Sequence, residues 1–501
     1  MQSNYQRFLG PVFKRARLLT SRLEATRRQI NIGGKEGVHT FLSEAALTEQ
    51  PVSIPPEFNA KDYFTFLLYI DAEIEHGLML QYLYAAYSLG GPQIPETGDF
   101  RTRVRTWQET ILGIAKEEMG HFISVQNILK LIGAPLHFDR QDYPWDTPFY
   151  PFPFKLEPLT LDSLAKYVYA EAPQEWIDSD DRWAKEIKQK VEGSVPNPHT
   201  VGALFDVLKQ LVQDTDRIGD EVFQANTYPF QGKFDEWGRG YQGGARGNTL
   251  HGSPTGTPDV LVMPLASRDD AQNALESIAE QGEDTTQGTE NPSHFTRFLL
   301  IYQDMTDMIN TAGSAWAPAR NVAVNPYIKE GDEDGDSDPS GGQVAGNDER
   351  DAITDPRTIN WAHLFNLRYR LLLNFLNHSF VLEEGLNTAG ATTPRGLIIN
   401  STFGEMYNLR SIAGVLVQLP LGDGSQKTAG APFLIPYTLQ LPVGEHNRWR
   451  THADVIEAST ALITQMLNDP QETNQQYLKG LREADAQLTD IINEMLQVKA
   501  C

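Results

Sequence analysis

The chain of 501 residues contains a single cysteine, and it is the last residue, Cys501. This excludes an intrachain disulfide framework, a cysteine-rich zinc or iron–sulfur site, and a buried cysteine nucleophile. Positive charge is scarce too. Against 66 Asp and Glu stand 42 Lys and Arg, a formal net charge of −24. General binding to nucleic acid or to anionic membranes needs basic patches, so neither is expected. Long apolar runs are missing. The longest, such as Phe66–Ile70 and Gly414–Val417, fall well short of the roughly 18 residues of a spanning helix. No apolar stretch of about 7–15 residues follows the first charges, so a signal-peptide pattern is absent and a cytoplasmic location is the expectation. A phosphate loop of Walker type is absent as well. Gly238–Gly244 follows no strand and precedes no Lys-Ser/Thr, and it reads as a flexible loop.

What is present is a large apolar complement. Hydrophobic residues make up 40% of the chain, with 23 Phe, 18 Tyr and 8 Trp, enough to bury an extensive core. Residues 1–30 are the basic exception. Seven Lys or Arg against Glu24 give this stretch +6, leaving −30 for the rest. Residues 1–58 therefore read as a basic arm, docking on an acidic body or on a sister subunit of a homo-oligomer. Proline-rich 51–59 reads as a linker, with Asn59 as the cap of the first long helix.

Helical spacing of apolar residues predicts two helices of about 30 residues, from Ala60 to about Leu89 and from Phe100 to Leu131. Gly90-Gly91-Pro92 and Gly133-Ala134-Pro135 stop them. A third long helix is expected at 199–226, with shorter or broken helices at 160–171, 267–283 (opened by Ser267 and Asp270), 292–311 and 361–385, and a final pair at 451–498 broken at Asp469-Pro470. Loops are expected at 138–158, 229–258 and 312–358, and strand-like pieces at Gly414–Leu419 and Phe433–Leu441. The fold class is all-α: a four-helix bundle over 59–385 with insertions at 229–258 and 312–358, and a C-terminal extension over 386–501.

Three constellations on these helices could carry chemistry. Glu118 and His121 are three apart, on one face of the second helix, among Ile111, Ile114, Phe122 and Val125. A carboxylate and an imidazole buried there need partners or a metal ion. Glu75 shares an apolar face of the first helix with Leu78, Met79 and Tyr82, with Asp71 one turn earlier; an inward Glu there needs a partner, and a metal is one option. His76 points about 100° away and suits packing or hydrogen bonding. Glu280 and Glu283 are three apart before a break, after which His294 opens the next helix. A fourth stretch, 331–342, mimics a calcium loop at Glu330, Asp332, Asp334 and Gly335. It has Gly341 where the bidentate Glu belongs, so it reads as a solvated acidic loop. His363, His378, His446 and His452 lack ligand-like spacing.

The segment Ile74-Glu75-His76 to Ser88 resembles the first helix of ferritin-like domains. Several further segments come in the order of the branch found in iminophenylpyruvate dimer synthases of violacein and rebeccamycin biosynthesis. They are Glu117–His121, Tyr167–Pro173, Thr200–Phe205, Ala274–Glu283, Ser293–Phe298 and Thr428–Phe433. The resemblance implies a ferritin-like four-helix bundle with Glu75, Glu118, His121, Glu283 and His294 as metal ligands and Glu280 as a further candidate. It also implies a defect. Ala203 stands where the family has a third-helix carboxylate, which Asp206 or Glu280 would have to replace. The large N-terminal domain of those synthases has no counterpart in the arm, so dimerising activity does not carry over.

Carboxylate and imidazole ligation suits Fe or Mn, and two such ions about 3.5–4 Å apart suit chemistry with O₂ or H₂O₂. The expected function is a non-haem oxidase, oxygenase or peroxidase acting on a small, aromatic-type substrate, with Tyr82 as the side chain best placed to take part beside the metals. Two other readings stay open: a metal-binding or storage protein without turnover, and a degenerate scaffold that binds a partner, which the loss at Ala203 favours.

Overall fold

The computed structural model describes residues 52–497, leaving aside 97, 144–149, 196–197, 238–240, 243–244, 247–260, 284–291, 313–315, 330–349, 384–386, 389–390 and 436–438. The basic arm up to residue 51, the acidic run at 331–342 and Cys501 lie outside these residues.

Two long helices form the spine. Helix α1, Ala60–Ser88, starts where Asn59 Oδ1 accepts the amide of Asp62 at 2.9 Å. It contains no proline and is buried on nearly every side. Leu89 is extended, and Gly90 and Gly91 take positive φ. Helix α2, Phe100–Leu131, runs back along α1 and stops before Gly133, also at positive φ. Gly77 lets another ring close on α1: a Cβ there would lie 2.9 Å from Tyr150 Cε1. On its outward side His76 Nε2 meets the hydroxyl of Tyr369 at 2.5 Å, a hydrogen-bonding role.

The rest of the bundle is assembled from shorter helices. They are α3 (Leu161–Glu171), α4 (Arg182–Glu192), α5 (Gly202–Gln213), α6 (Arg268–Glu283) and α7 (His294–Ala312). A capping box of Thr160 and Ser163 opens α3, and Ser267 Oγ accepts the amide of Asp270 at the start of α6. Helix α3 packs on α7, α5 on both α1 and α6, and α7 on α2.

The C-terminal part is helical too. Helix α8 (Pro356–Ser379) packs on α9 (Pro394–Leu416) and α10 (Glu445–Leu467), and α10 packs on α11 (Gln475–Gln497). Leu371, Phe375, Ile398, Trp449, Val455, Ile456 and Ile492 form a second, smaller core. Two buried histidines link α8 to α10, with His378 Nδ1 at 2.8 Å from His452 Nε2 and His378 Nε2 at 2.9 Å from Glu445.

Three expectations need correction. The third helix does not run over 199–226; it ends at Gln213, and 3₁₀ turns come after it at Asp220–Val222 and Ala225–Phe230. Asp214 ends it by accepting both the amide and the Nε–H of Arg217, a local alternative to helical bonding. Gly414–Leu419 is not a strand: through Leu416 it is the last turn of α9, a helix that Thr393 caps and Pro394 opens. No strand forms at Phe433–Leu441 among the described residues, where Phe433 takes a left-handed φ of 46°. The strands present are two-residue pairs, such as Tyr327–Ile328 beside Ala352–Ile353.

Arg368 joins all four C-terminal helices. From α8 its guanidinium donates to Glu405 on α9 (3.2 Å), Ser459 on α10 (2.7 Å) and Asp485 on α11 (2.8 Å). All four residues are buried. Removing the cation strands two carboxylates in the core, so Arg368→Ala is expected to cost about 3–5 kcal/mol. Replacing Arg368, Glu405 and Asp485 together by apolar residues of similar volume should cost far less. Denaturant midpoints of the two variants check this.

Candidate metal centre

Five side chains meet inside the bundle, each delivered by a helix whose apolar face turns them inward. Glu75 comes from the middle of α1, Glu118 and His121 from adjacent turns of α2, Glu171 from the last residue of α3, and His294 from the first residue of α7. All five are buried. Their ligand atoms form two groups, Glu75/Glu118/His121 and Glu118/Glu171/His294, each with its atoms within 4.8 Å of one another. Glu118 belongs to both.

The distances show how the groups interlock. His121 Nδ1 is 2.9 Å from Glu118 Oε2 and 3.4 Å from Glu75 Oε2. His294 Nδ1 is 2.9 Å from Glu118 Oε1 and 3.7 Å from Glu171 Oε2. The two imidazoles lie 5.3 Å apart, 27° from parallel. Glu75 Oε2, Glu118 Oε1 and His294 Nδ1 are nevertheless buried without an aligned hydrogen-bond partner. Lone pairs that converge in a dry interior and leave their hydrogen bonds unmade suit a metal ion. The donors, three carboxylates and two imidazoles, suit Fe, Mn or Zn.

A surrounding layer fixes these groups. His294 Nε2 faces Glu117 Oε2 at 3.0 Å. Arg297, one turn along α7, grips Glu117 with both terminal nitrogens, Nη1 at 3.0 Å from Oε1. His121 Nε2 lies 2.8 Å from Gln281 Oε1. Tyr82 donates its hydroxyl to Glu171 Oε1 at 2.5 Å, and its ring packs against Tyr167 and Phe298.

Electrostatics follow from burial and mutual proximity. Burial opposes ionisation of Glu118, but His294 and His121 outweigh it and hold its carboxyl well below the usual range. Burial, with the charge on Glu118, pushes Glu75 well up. His121 would be lowered by burial, yet Glu75 and Glu118 raise it to about 10. Glu118, Glu117 and Glu171 likewise outweigh burial at His294 and raise it well above its ordinary value. Burial lifts Asp71 to about 8, with His121 opposing and Glu118 adding.

The sequence-derived candidates divide on this geometry. Glu75, Glu118, His121 and His294 come together. Glu283 stands to one side: Gly202 makes room for it, since a Cβ there would fall 2.1 Å from Glu283 Oε1. Burial, then Asp206 and Glu171, raise Glu283 to about 8. Glu280 is exposed on α6 and joins neither group. Asp206 pairs with Lys209 at 3.3 Å. A third carboxylate comes from α3: Glu171, which sequence reasoning passed over, as it did Glu117 and Arg297. Its signal was a lone acid closing the apolar run Tyr167-Val168-Tyr169-Ala170.

A family model described as ferritin-like matches residues 69–303. Dichlorochromopyrrolate synthase of Lentzea aerocolonigenes is 27% identical over 388 residues, covering 72% of this chain and 34% of that protein. The 2-imino-3-(indol-3-yl)propanoate dimerase of Chromobacterium violaceum is 23% identical over 422 residues, covering 78% of this chain and 35% of that protein. The chain thus spans about a third of the length of these curated relatives. A crystal structure of a ferritin-like protein from Caulobacter vibrioides covers 70% of this chain and 94% of its own, at 16% identity and a TM-score of 0.36. Among the described residues no helix is long and apolar enough to cross a membrane. The chain carries a ferritin-like domain at residues 69–303, with a buried Glu/His centre that could hold metal.

Proposed function

We propose that this protein is a metal-dependent oxidoreductase that uses O₂ or peroxide to oxidise a small aromatic molecule. The observation that carries the proposal is Glu118, one buried carboxylate whose two oxygens each face a different imidazole. With one oxygen on each side, Glu118 would serve two ions rather than one. Two iron or manganese ions so held would supply the redox equivalents and the Lewis acidity. Glu75 and His121 would hold one ion, Glu171 and His294 the other.

The remaining work belongs to the protein. Tyr82 holds its proton against Glu171 Oε1, which leaves Oε2 turned toward His294. Tyr82, Tyr167 and Phe298 form an aromatic wall that keeps water away from that side. An aromatic substrate class is supported by the relatives, one of which is named for an indole-bearing imino acid. The scaffold reading is disfavoured by the third carboxylate that Glu171 brings to the buried set, and relatives named as a synthase and a dimerase lend the storage reading no support.

Two outcomes test the proposal. Elemental analysis of the protein loaded with iron or manganese should find about two ions per chain. Glu118→Ala should lose both, His121→Ala and His294→Ala about one each, and Tyr82→Phe neither. The loaded wild type should then consume O₂ or H₂O₂ faster with an aromatic reductant than without one. Metal content unchanged in Glu118→Ala would refute the site.

Affinity should also depend on pH in a defined direction. In the metal-free protein His121, at about 10, and His294, raised well above its usual value, carry protons at neutral pH. A metal must displace those protons, so binding strengthens as pH rises, by up to about tenfold per unit for each proton released. Calorimetric titration in buffers of different ionisation enthalpy counts the protons. Affinity that stays flat from about pH 6 to 9 would contradict this charge state.

A further inference from the structure

The two metal positions differ in what stands behind their histidines. Behind His294 is a carboxylate, Glu117, with its acceptor at 3.0 Å from Nε2 and both oxygens gripped by Arg297. A carboxylate offers no proton, so Nε2 keeps its own, and once an ion displaces the proton on Nδ1 that atom presents its lone pair inward toward Glu118 and Glu171. Arg297 keeps Glu117 ionised and its plane fixed. All of these groups are buried, which fixes the orientation of the ring. Behind His121 is an amide, Gln281, half-buried near the end of α6. An amide carries an acceptor and a donor and can face Nε2 with either, so it enforces neither tautomer of His121.

We propose that the two positions are inequivalent and fill in order, the Glu171–His294 position first, with the Glu117–Arg297 pair as the positioning element that sets the order. The inference rests on the dimetal reading above and extends it to the order in which the ions enter. Asp71 is the opposing influence. It lies one turn before Glu75, buried, with Oδ2 unpartnered, and its charge would favour the Glu75–His121 position. Orientation prevails because Glu117 contacts the ring of a group member directly at 3.0 Å, whereas Asp71 belongs to neither group.

Titration of the full-length chain with Co(II), followed by calorimetry and visible absorption, tests this. The wild type should show two separable steps, and His294→Ala should remove the tighter one. In Glu117→Gln the charge is lost and a donor NH₂ replaces one of the two oxygens that Arg297 and His294 use, so the tighter step should weaken by about 10–100-fold while the weaker step holds. Far-UV circular dichroism of the metal-free variant checks that it folds. Gln281→Glu provides a gain that misfolding cannot imitate: a carboxylate behind His121 should tighten the weaker step and narrow the gap. Two equal sites in the wild type would overturn the inference and leave the dimetal reading standing. So would a tighter step that survives His294→Ala, or one that is unaffected in Glu117→Gln. Absence of any Co(II) binding would overturn the dimetal reading itself.

Discussion

A single carboxylate in a dry interior organises this protein. Glu118 sits between two imidazoles, with one oxygen at 2.9 Å from each. Taking one carboxylate out of water costs several kcal/mol, and here three carboxylates and two imidazoles are buried together. The cluster persists only because positive charge is brought in to meet it, as protons on the histidines without metal or as cations in their place. The rest of the architecture serves that balance. Helices α1 and α2 are long enough to be buried through their middles, where Glu75, Glu118 and His121 lie. The short helices α3 and α7 bring in Glu171 and His294 at their ends.

Charge is arranged in layers around this centre. The inner carboxylates compete for protons, which is why Glu75 and Glu118 shift in opposite directions. The next layer is neutral or self-compensated: Tyr82 on Glu171, Gln281 on His121, and Glu117 cancelled by Arg297. Arg297 thus stabilises a negative charge that in turn orients a metal-facing ring. The C-terminal helices repeat the theme around Arg368, where one cation answers Glu405 and Asp485. In that cluster a guanidinium already faces both carboxylates and, among the described residues, no metal-ligand set converges, so it reads as a structural clasp.

Much of this was legible in the sequence, for identifiable reasons. Glu75, Glu118 and His121 stand out because a polar group in an unbroken apolar helical stretch has to be answered by something. The two long helices were legible from the same periodicity and from their Asn59 and glycine boundaries. Glu171 was hidden because a Glu followed by Ala-Pro at the end of an eleven-residue helix reads as a stop signal. Glu280 misled because spacing of three from Glu283 suggested a shared face, whereas α6 turns Ala271, Ala274, Leu275 and Ile278 inward and leaves Glu280 outside. Glu117 and Arg297 are 180 residues apart, and no local pattern announces a pair formed only by folding. The strand expected at Gly414–Leu419 failed because a short apolar run fits a buried helix end equally well.

The proposed dimetal role of Glu118 is open to direct measurement. X-ray absorption fine structure of the iron-loaded, full-length protein addresses it most directly. The expected result is mixed oxygen and imidazole ligation together with a metal–metal scattering vector at about 3.5–4 Å. Well-ordered iron with no metal–metal vector at saturating metal would contradict it, and would make the centre mononuclear.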